Sequence, residues 1–580
     1  MHSKGNSILS YPPIESNTYS EIMGISKTES SVISGLEPIV TELKAYSYDE
    51  APAKVGFWES FQRKEDGEVK TKDLKMAHLA VIALSSGMGT GLLVGSASKL
   101  VSGGPLSLLI AYGLVGAMCI CTMNAVGELT VAYTDLDGGF NEWYRKFLDE
   151  SMAFALGWNY LISWLTTISL ELVVAALTIK YWNTSIDSDV FVAIFFVVIC
   201  AINFFGVKGY AEAEFFMNSL KLVTLTGFVL MALCVDLGAT SSGYIGGKYW
   251  RDPGCFTSFK GLVSVFATAS FSMGGTEFLA LSVSEVRNPR TALPVAIRLV
   301  FVRIIFFYLG SLLFVGLLVP HNSDRLMGSG HSSTSASPYV LAASLHGVKV
   351  IPHIMNAVIL NSVTSVATAA MYSSARLLRS LAVQGFAPKW FDYVDKAGRP
   401  LRAWMVTILA AAFAFIATFK QQDVVFNWLL SIVALSIVIV WPCLSLCHLR
   451  WRAALKHNNI PLETLGFVSY TGEIGSYYAI VINVLILIGQ FWVALFPKSD
   501  ANINNFFQNY LTVPFFLVCY IGHKTYTKSW NHFYIKTADI DIFTGRTIVD
   551  AEVLQLDREE KQQKLAAAKW WNKPFIWFFN

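Results

Sequence analysis

Four ionisable side chains stand out inside long apolar stretches of the sequence. They are the carboxylates of Glu128, Glu171 and Glu277 and the ammonium group of Lys221. A charge inside a lipid bilayer is costly, and such residues usually face a cavity, pair with one another or exchange protons. Burial disfavours the charged form of a lysine, so Lys221 is suited to taking up and releasing a proton. The chemistry indicated is proton transfer, or the binding of a charged solute, within a membrane.

Each of these charges also has a structural interpretation. Glu128 lies near the end of its apolar stretch, where we favour an anchored structural carboxylate. Glu171 is surrounded by leucine and valine, and we predict a functional role for it. For Lys221 we favour proton coupling, with a static salt bridge as the alternative. Glu277 follows a glycine pair, so we expect it to contact free main-chain amides or the ammonium group of a substrate.

Two apolar segments contain clusters of small residues that interrupt a helix. Residues 77–95 read AHLAVIALSSGMGTGLLVG, and residues 265–285 read VFATASFSMGGTEFLALSVSE. Unpaired main-chain groups are very unfavourable in a bilayer, so an interrupted helix must line a protected cavity or hold a ligand. A pair of broken helices at corresponding positions in two halves indicates the substrate site of a transporter. Close helix packing through small residues is the alternative.

The composition is that of a membrane protein. Of the 580 residues, 54% are hydrophobic and only 15% are charged, and the mean hydropathy is +0.48. Soluble chains carry about 25% charged residues. We therefore predict an all-α membrane protein with one transmembrane domain over residues 71–527. Its twelve candidate spans lie at 77–101, 105–132, 152–180, 188–206, 214–236, 259–284, 295–319, 350–383, 402–420, 424–447, 474–496 and 506–526.

Two polar tails flank this domain. Residues 1–70 are rich in serine, glutamate and lysine and show only weak periodicity of hydrophobic residues, so we expect a disordered cytoplasmic tail. Residues 528–580 form a second tail, which ends in aromatic residues suited to contact with membrane lipids. Lysine and arginine concentrate in the loops on the side of the termini, so the positive-inside rule places both termini in the cytoplasm. Four lysines of the first tail would be accessible to ubiquitin ligase machinery: Lys4, Lys27, Lys44 and Lys54.

Motifs for several other chemistries are absent from the sequence. It has no phosphate-binding G-x-x-x-x-G-K-[ST] motif, no nucleophile elbow and no redox motif, so we expect neither an enzyme nor a cofactor. Cys443, Cys447 and His448 share part of one predicted helix, but they lack further ligands, so we expect packing residues and no metal site. The net charge of +3 gives no reason to propose nucleic acid as a partner.

Several separated motifs resemble those of the fungal amino acid permeases, which belong to the amino acid–polyamine–organocation superfamily. They are SGMGTGLLVG (86–95), FGVKGYAEAEF (205–215), SVFATASFSMGGTE (264–277), KAGRPL (396–401) and DIDIFTGR (539–546). The resemblance covers roughly residues 55–560. It implies twelve transmembrane helices, the first ten in two inverted five-helix repeats, with helices 1 and 6 broken around the substrate. It also implies import of L-amino acids with protons at the plasma membrane.

The resemblance further assigns roles to individual residues. The break in helix 1 would bind the substrate carboxylate through main-chain amides of Ser86, Gly87, Met88, Gly89 and Thr90. The break in helix 6 would offer carbonyl oxygens to the ammonium group at Phe271, Ser272, Met273, Gly274 and Gly275. Lys221 resembles the lysine that replaces a sodium ion in proton-coupled relatives. Glu171 matches a glutamate of helix 3, and Ser365 matches a helix-8 serine that faces the site.

We interpret the protein as a proton-coupled importer of amino acids or close derivatives. A sensor that binds amino acids but transports little is the alternative from another class, and the presence of both Lys221 and Glu171 favours the transporter. An exchanger without proton coupling is disfavoured by Lys221. A permease for a polyamine, or for a methionine-derived sulfonium compound, would also suit a pocket with acidic residues and Met273.

Overall fold

The structure is a computed structural model, and it describes residues 59–63, 76–134, 139–182, 185–277, 279, 286, 289–327, 337–418, 422–496, 503–547 and 551–570. All of these residues belong to one structural unit, which begins at Phe57. The four tail lysines predicted to be targets of ubiquitin ligase lie outside the described residues.

The first part of the chain folds into helices. They are α1 (Met76–Ser85), α2 (Thr90–Leu93), α3 (Ser96–Gly103), α4 (Pro105–Ala132), α5 (Asn141–Phe147), α6 (Glu150–Ile179), α7 (Ser188–Phe204) and α8 (Gly206–Asp236). A short π-helical turn follows at Trp250–Gly254. Among the described residues there is no strand, and an isolated β-bridge pairs Arg63 with Asp395.

The second part of the chain is helical as well. Its helices are α9 (Phe259–Met273), α10 (Pro289–Val302), α11 (Ser311–Leu318), α12 (Asp324–Met327), α13 (Pro338–Ser344), α14 (Ile351–Val383), α15 (Leu401–Ala411), α16 (Gln422–His457), α17 (Gly472–Leu495), α18 (Ile503–Tyr510), α19 (Thr512–Tyr526) and α20 (Ala551–Ala567). A π-helical segment, Arg303–Gly310, joins α10 to α11, so these three pieces form one long helix.

Seven helices in the described part of the chain are long and apolar enough to cross a membrane. They are α4, α6, α8, the combined α10–α11 helix, α14, α16 and α17. The segment Ala77–Leu93 and α3 together form an eighth candidate, bent by 60°, and α7, α9 and α15 are shorter apolar helices. The all-helical prediction is confirmed, whereas the number of twelve spans and the inverted repeat remain predictions.

Local signals explain where several helices begin. Gly104, at φ +83°, ends α3, and Pro105 takes the first position of α4. The missing N–H of proline costs nothing there, because the first amides of a helix have no helical partner. Ser258 precedes α9, and its hydroxyl oxygen accepts a hydrogen bond of 3.0 Å from the Gly261 amide. This contact satisfies one of the free amides of the first turn.

Helices α6 and α14 lie at the centre of the bundle. They pack along each other, and α6 also contacts α16 and α19 while α14 also contacts α8 and α15. Polar side chains are buried on both central helices, among them Glu171, Ser362 and Ser365. Since buried polar groups need partners, these side chains locate the part of the bundle where a site can form.

Part of the predicted C-terminal tail packs against the end of the bundle, and we call residues 535–547 the tail strap. The Tyr133 hydroxyl donates a hydrogen bond of 3.0 Å to the Ile542 carbonyl oxygen. Lys146 Nζ, at the end of α5, donates one of 2.6 Å to the Thr544 carbonyl oxygen. The tail strap thus holds together the end of α4 and the short helix α5.

Candidate substrate site

Two predicted membrane helices are interrupted by short non-helical segments, which we call the two chain breaks. The first lies between α1 and α2, and the second follows α9. An internal cavity lies beside them, and α6, α8, α14 and α16 complete its walls. The space between its lining atoms, including space open to solvent, is about 700 Å³. Eleven of the fourteen predicted site residues line it: Ser86, Gly87, Gly89, Thr90, Glu171, Lys221, Phe271, Gly274, Gly275, Glu277 and Ser365. The fold therefore brings residues from five separate stretches of sequence to one place.

The first chain break separates α1 from α2. Gly87 has φ +78°, a conformation that residues with a side chain rarely adopt. A Cβ atom at Gly87 would lie 2.7 Å from the carbonyl oxygen of Gly274, so the main chains of the two breaks approach each other directly. Gly89, Thr90 and Gly91 line the cavity where α2 begins. The first amides of a helix lack helical partners, so this wall offers hydrogen-bond donors.

The second chain break begins where α9 ends at Met273. Gly274 is not helical (φ −59°, ψ 156°), and Gly275 has φ +82°. A Cβ atom at Gly275 would lie 3.2 Å from the Trp164 ring, and one at Gly274 would collide with the Ile437 side chain. Both glycines therefore let the chain pass closely between α6 and α16.

Glu171 connects α6 to the first break. Thr90 Oγ1 donates a hydrogen bond of 2.6 Å to Glu171 Oε2, and both side chains are buried. The other carboxylate oxygen, Oε1, is also buried and has no hydrogen-bond partner among the residues that the structure describes. A buried acceptor without a partner is costly, so this oxygen is suited to binding a proton or a donor group of a substrate.

Lys221 belongs to a buried polar cluster at the cavity wall. Its Nζ atom donates a hydrogen bond of 2.9 Å to Ser365 Oγ, which lies 3.0 Å from both carboxylate oxygens of Glu214. Asn218 Nδ2 donates to Glu214 Oε2 (2.7 Å), and Ser85 Oγ donates to Asn218 Oδ1 (2.8 Å). A single hydroxyl thus links the ammonium group to a carboxylate, and the cluster joins α8 and α14 to the end of α1.

Glu277 lies at the second break and accepts hydrogen bonds from two aromatic side chains. The Tyr160 hydroxyl donates to Oε1 (2.8 Å), and Trp441 Nε1 donates to Oε2 (3.1 Å). The two rings come from α6 and α16, so this carboxylate ties the second break to both helices. With Glu171 and Glu214, three carboxylates line the cavity beside one ammonium group.

The family model described as "Amino acid permease" matches residues 78–536 of the chain. The protein belongs to the amino acid permease family. The resemblance recognised in the sequence motifs is therefore confirmed, and the chain is a multi-pass membrane permease.

Several curated fungal proteins are similar to this permease over most of their length. The general amino acid permease AGP1 of Saccharomyces cerevisiae is 45% identical over 511 residues, which is 87% of this chain and 81% of the relative. The high-affinity glutamine permease of the same yeast is 45% identical over 522 residues, 88% and 79% of the two chains. The S-adenosylmethionine permease GAP4 of Candida albicans is 42% identical over 507 residues, 87% and 82% of the two chains.

Three predicted site residues of the permease do not line the cavity. Met88 is fully buried, and its carbonyl oxygen accepts a hydrogen bond from the Ser362 hydroxyl. Ser272 Oγ lies 2.9 Å from the Tyr112 hydroxyl, and Met273 is fully buried beside α4. The side chains of these three residues face neighbouring helices, and their carbonyl oxygens accept hydrogen bonds from the hydroxyl groups of Ser362, Tyr308 and Thr276.

Two polar residues of the Lys221 cluster were not predicted from the sequence. Glu214 and Asn218 stand seven and three residues before Lys221 on α8. Positions i, i+4 and i+7 lie on one face of a helix. This polar stripe within an otherwise apolar span is a signal that could have identified both residues.

Apart from Glu171, the residues of α6 that line the cavity were also not predicted from the sequence. Tyr160, Trp164 and Thr167 line the cavity on the same helix. Their spacing of four, three and four residues up to Glu171 follows one helical face. Aromatic residues are common in membrane helices, however, and only the packing against the second break distinguishes Tyr160 and Trp164 from lipid-facing residues.

Glu128 lies in a separate cluster outside the cavity. Its Oε2 atom accepts hydrogen bonds from Arg452 Nη2 (2.5 Å) and the Ser469 amide (2.8 Å), and its Oε1 atom accepts one from Trp451 Nε1 (3.2 Å). His448 Nε2 lies 3.4 Å from Oε1. These contacts fit the structural role favoured for Glu128. In the described part of the chain, no group of histidine, cysteine and acidic residues has the arrangement of a metal site.

Proposed function

We propose that this permease imports L-amino acids or close derivatives together with protons across the plasma membrane. The observation that carries the proposal is the buried cavity beside the two chain breaks, which both Glu171 and Lys221 line. Family membership supports amino acids as the substrate class. The two titratable groups support coupling to protons, because each can change its charge inside the cavity.

In this proposal the two breaks bind the two charged ends of an amino acid. The first break contributes main-chain donors near Gly89 and Thr90, which suit a carboxylate. The second break contributes main-chain carbonyl groups near Phe271 and the carboxylate of Glu277, which suit an ammonium group. The side chain of the substrate would then extend toward Trp164, where the cavity wall is aromatic.

Proton coupling is assigned to Glu171 and to the Lys221 cluster. Protonation of Glu171 would remove a negative charge beside Thr90 at the first break. Release of a proton from Lys221 would remove the positive charge that Ser365 connects to Glu214. Either event changes the electrostatics between a break and the central helices, and thus the relative stability of open and closed states.

Alternating access is part of the same proposal. It assumes twelve spans, with the first ten arranged as two inverted repeats of five, and both termini in the cytoplasm. The distribution of lysine and arginine between the loops supports this orientation. We further propose that ubiquitin ligase machinery acts on the N-terminal tail and that membrane lipids contact the aromatic C-terminal end.

A cationic derivative of methionine is a second candidate substrate. Three carboxylates and one ammonium group line the cavity in the described part of the chain, and a relative is named for transport of S-adenosylmethionine. The position of Met273 gives this candidate no support, because its side chain is buried beside α4 and does not line the cavity.

Uptake by a fungal strain that lacks its own broad amino acid permeases tests the proposal. Each common L-amino acid, S-adenosylmethionine and spermidine would be supplied in radiolabelled form to cells with and without the protein. We expect uptake of at least one L-amino acid that increases at acidic external pH and is abolished by a protonophore. Uptake of S-adenosylmethionine alone would favour the second candidate.

Binding without accumulation would instead indicate a sensor. The purified protein in detergent would be tested for thermal stabilisation by the same compounds. Stabilisation by an amino acid in the absence of any cellular uptake would contradict the transport proposal. Uptake that persists unchanged with the protonophore would contradict proton coupling alone.

A further inference from the structure

Arg303 is a fully buried cation that lies outside the cavity lining. It is the first residue of the π-helical segment Arg303–Gly310, in the middle of the long α10–α11 helix. Isolated π-helical turns inside longer helices are frequent at functional sites.

The guanidinium group of Arg303 contacts both chain breaks. Its Nη1 atom donates hydrogen bonds to the carbonyl oxygen of Ser86 (2.6 Å) and to Ser86 Oγ (3.1 Å). Its Nη2 atom donates to Thr276 Oγ1, and this hydroxyl donates in turn to the Met273 carbonyl oxygen (2.6 Å). One planar group thus joins the residue that follows α1 to the residues that follow α9.

A second residue of the same π-helical segment supports this connection. The Tyr308 hydroxyl donates a hydrogen bond of 2.5 Å to the Ser272 carbonyl oxygen, in the last turn of α9. The Arg303 guanidinium carbon lies 5.9 Å from the centre of the Tyr308 ring, a distance at which a cation interacts with an aromatic face. The segment therefore holds the second break with two side chains and the first break with one.

The hydrogen bonds that the described residues provide to the Arg303 guanidinium group go to uncharged oxygen atoms. Among the described residues, its Nε atom is buried without a hydrogen-bond partner. Burial of a guanidinium group carries a desolvation cost that an apolar side chain of similar size avoids. What arginine adds is a rigid, planar guanidinium group whose N–H donors can hold two separate acceptors at once.

We propose that Arg303 is a positioning residue that joins the two chain breaks into one substrate-binding unit. It acts through Ser86 and Thr276 and does not itself line the cavity. This inference rests on the proposed function, in which the substrate carboxylate and ammonium group bind one break each. A bound substrate then bridges the same two elements as Arg303, so loss of Arg303 loosens the link between the breaks most when the site is empty, and substrate binding must restore that link.

The first test is Arg303→Lys, which keeps the positive charge but lacks the planar guanidinium group that contacts both breaks. We expect the KM for uptake of radiolabelled L-glutamine to rise about tenfold, with the maximal rate and the amount at the cell surface changed less than about threefold. Arg298→Lys on α10 is the matched control, because Arg298 Nε donates to the Pro294 carbonyl oxygen within its own helix. We expect this control to change KM less than about twofold. An unchanged KM in Arg303→Lys would overturn the proposal.

The second test uses the partner hydroxyl. Thr276→Val removes the acceptor at the second break and should raise KM as Arg303→Lys does, whereas Thr276→Ser keeps a hydroxyl and should recover most of the loss. The double variant of Arg303→Lys and Thr276→Val should be no worse than the poorer single variant, because both remove the same link. Fully additive losses would show that Thr276 and Arg303 act separately, and would overturn the proposal.

A third measurement needs no substrate. A cysteine placed at Ser163, which lines the cavity, would be alkylated with N-ethylmaleimide in a variant without the native cysteines. If Arg303 holds the breaks together, Arg303→Lys should accelerate this alkylation about fivefold, and Arg298→Lys should not. Equal rates would overturn the inference. Absence of uptake by the wild type would contradict the proposed function instead, and the alkylation result would still decide the role of Arg303.

Discussion

Thr90 and Glu171 are joined by a hydrogen bond of 2.6 Å that runs from the first chain break to the central helix α6. The residues are 81 positions apart in the sequence. A carboxylate only accepts hydrogen bonds, whereas a carboxylic acid can also donate one. The protonation state of Glu171 therefore determines which hydrogen bonds are available beside the first break.

We predict that Glu171→Gln reduces uptake at least about tenfold at normal surface abundance. The amide keeps the volume of the side chain but cannot take up or release a proton. Measured from acidic to neutral external pH, the remaining uptake should have lost most of the pH dependence of the wild type. Glu150→Gln, at the exposed start of α6, is the control. Wild-type uptake with an unchanged pH profile would show that Glu171 is structural.

For Lys221→Met we predict loss of uphill accumulation with retained exchange. Methionine has a similar length but cannot bind a proton or donate a hydrogen bond to Ser365, so Glu214 loses its link to a cation. Accumulation ratios and counterflow of preloaded label would be measured in parallel. Lys208→Met is the control, since Lys208 is exposed near the start of the same helix. Proton-driven accumulation by Lys221→Met would contradict the assignment.

The chain breaks could be predicted from the sequence, but much of their surroundings could not. Clustered glycines near Gly87 and Gly274 signal an interrupted helix wherever they occur in an apolar span. Arg303 also stands in an apolar run, but nothing comparable in the sequence indicates its role. Its acceptors, Ser86 and Thr276, lie 217 and 27 residues away, and a single arginine in an apolar run does not reveal which elements pack against it.

The same distinction applies to the ionisable residues. Lys221 and Glu171 are conspicuous because each stands in an apolar span. Glu214 shares one face of α8 with Lys221, but the sequence does not show that this face meets Ser365, which follows from the packing of α8 on α14. Sequence reasoning thus identifies groups that are costly to bury, whereas pairing between them depends on helix contacts.

Gly87→Ala should abolish substrate binding while leaving much of the protein folded. Alanine is strained at φ +78°, and its Cβ atom would lie 2.7 Å from the Gly274 carbonyl oxygen. The main chains of the breaks must then separate. Ligand-induced thermal stabilisation of purified protein measures the loss. Gly227→Ala on α8 meets no atom within 4 Å and is the matched control. Stabilisation by the ligand equal to that of the wild type would place the binding site elsewhere.

The tail strap should be insensitive to pH over the cellular range. Hydrogen bonds from the Thr544 hydroxyl and amide, and from the Phe543 amide, lower the pKa of Asp541 to about 2. A carboxylate whose pKa is lower in the folded than in the unfolded protein stabilises the fold fully when the pH is above the pKa of the unfolded state. This stabilisation is lost only as the pH falls through the pKa of the folded state. Limited proteolysis of the C-terminal segment should therefore proceed equally between about pH 5 and pH 7.5.

Asp541→Ala should accelerate that proteolysis at every pH in this range, because the turn at Thr544 loses its acceptor and Lys146 loses a nearby charge. Asp539→Ala, at an exposed position two residues earlier, is the control. A steep rise of cleavage in the wild type on mild acidification would contradict the role given to Asp541.

The approach of Gly87 to Gly274 has a mechanical consequence. Most joints between helices consist of side chains, which can yield gradually by changing rotamer. Here two main chains meet with no side chain between them. No change of rotamer can therefore accommodate a small displacement at this contact. Contacts of this kind have discrete arrangements rather than a continuum. Closure of the site around a substrate should accordingly be all-or-none, and single-molecule distance measurements across the two breaks should show two populations without intermediates.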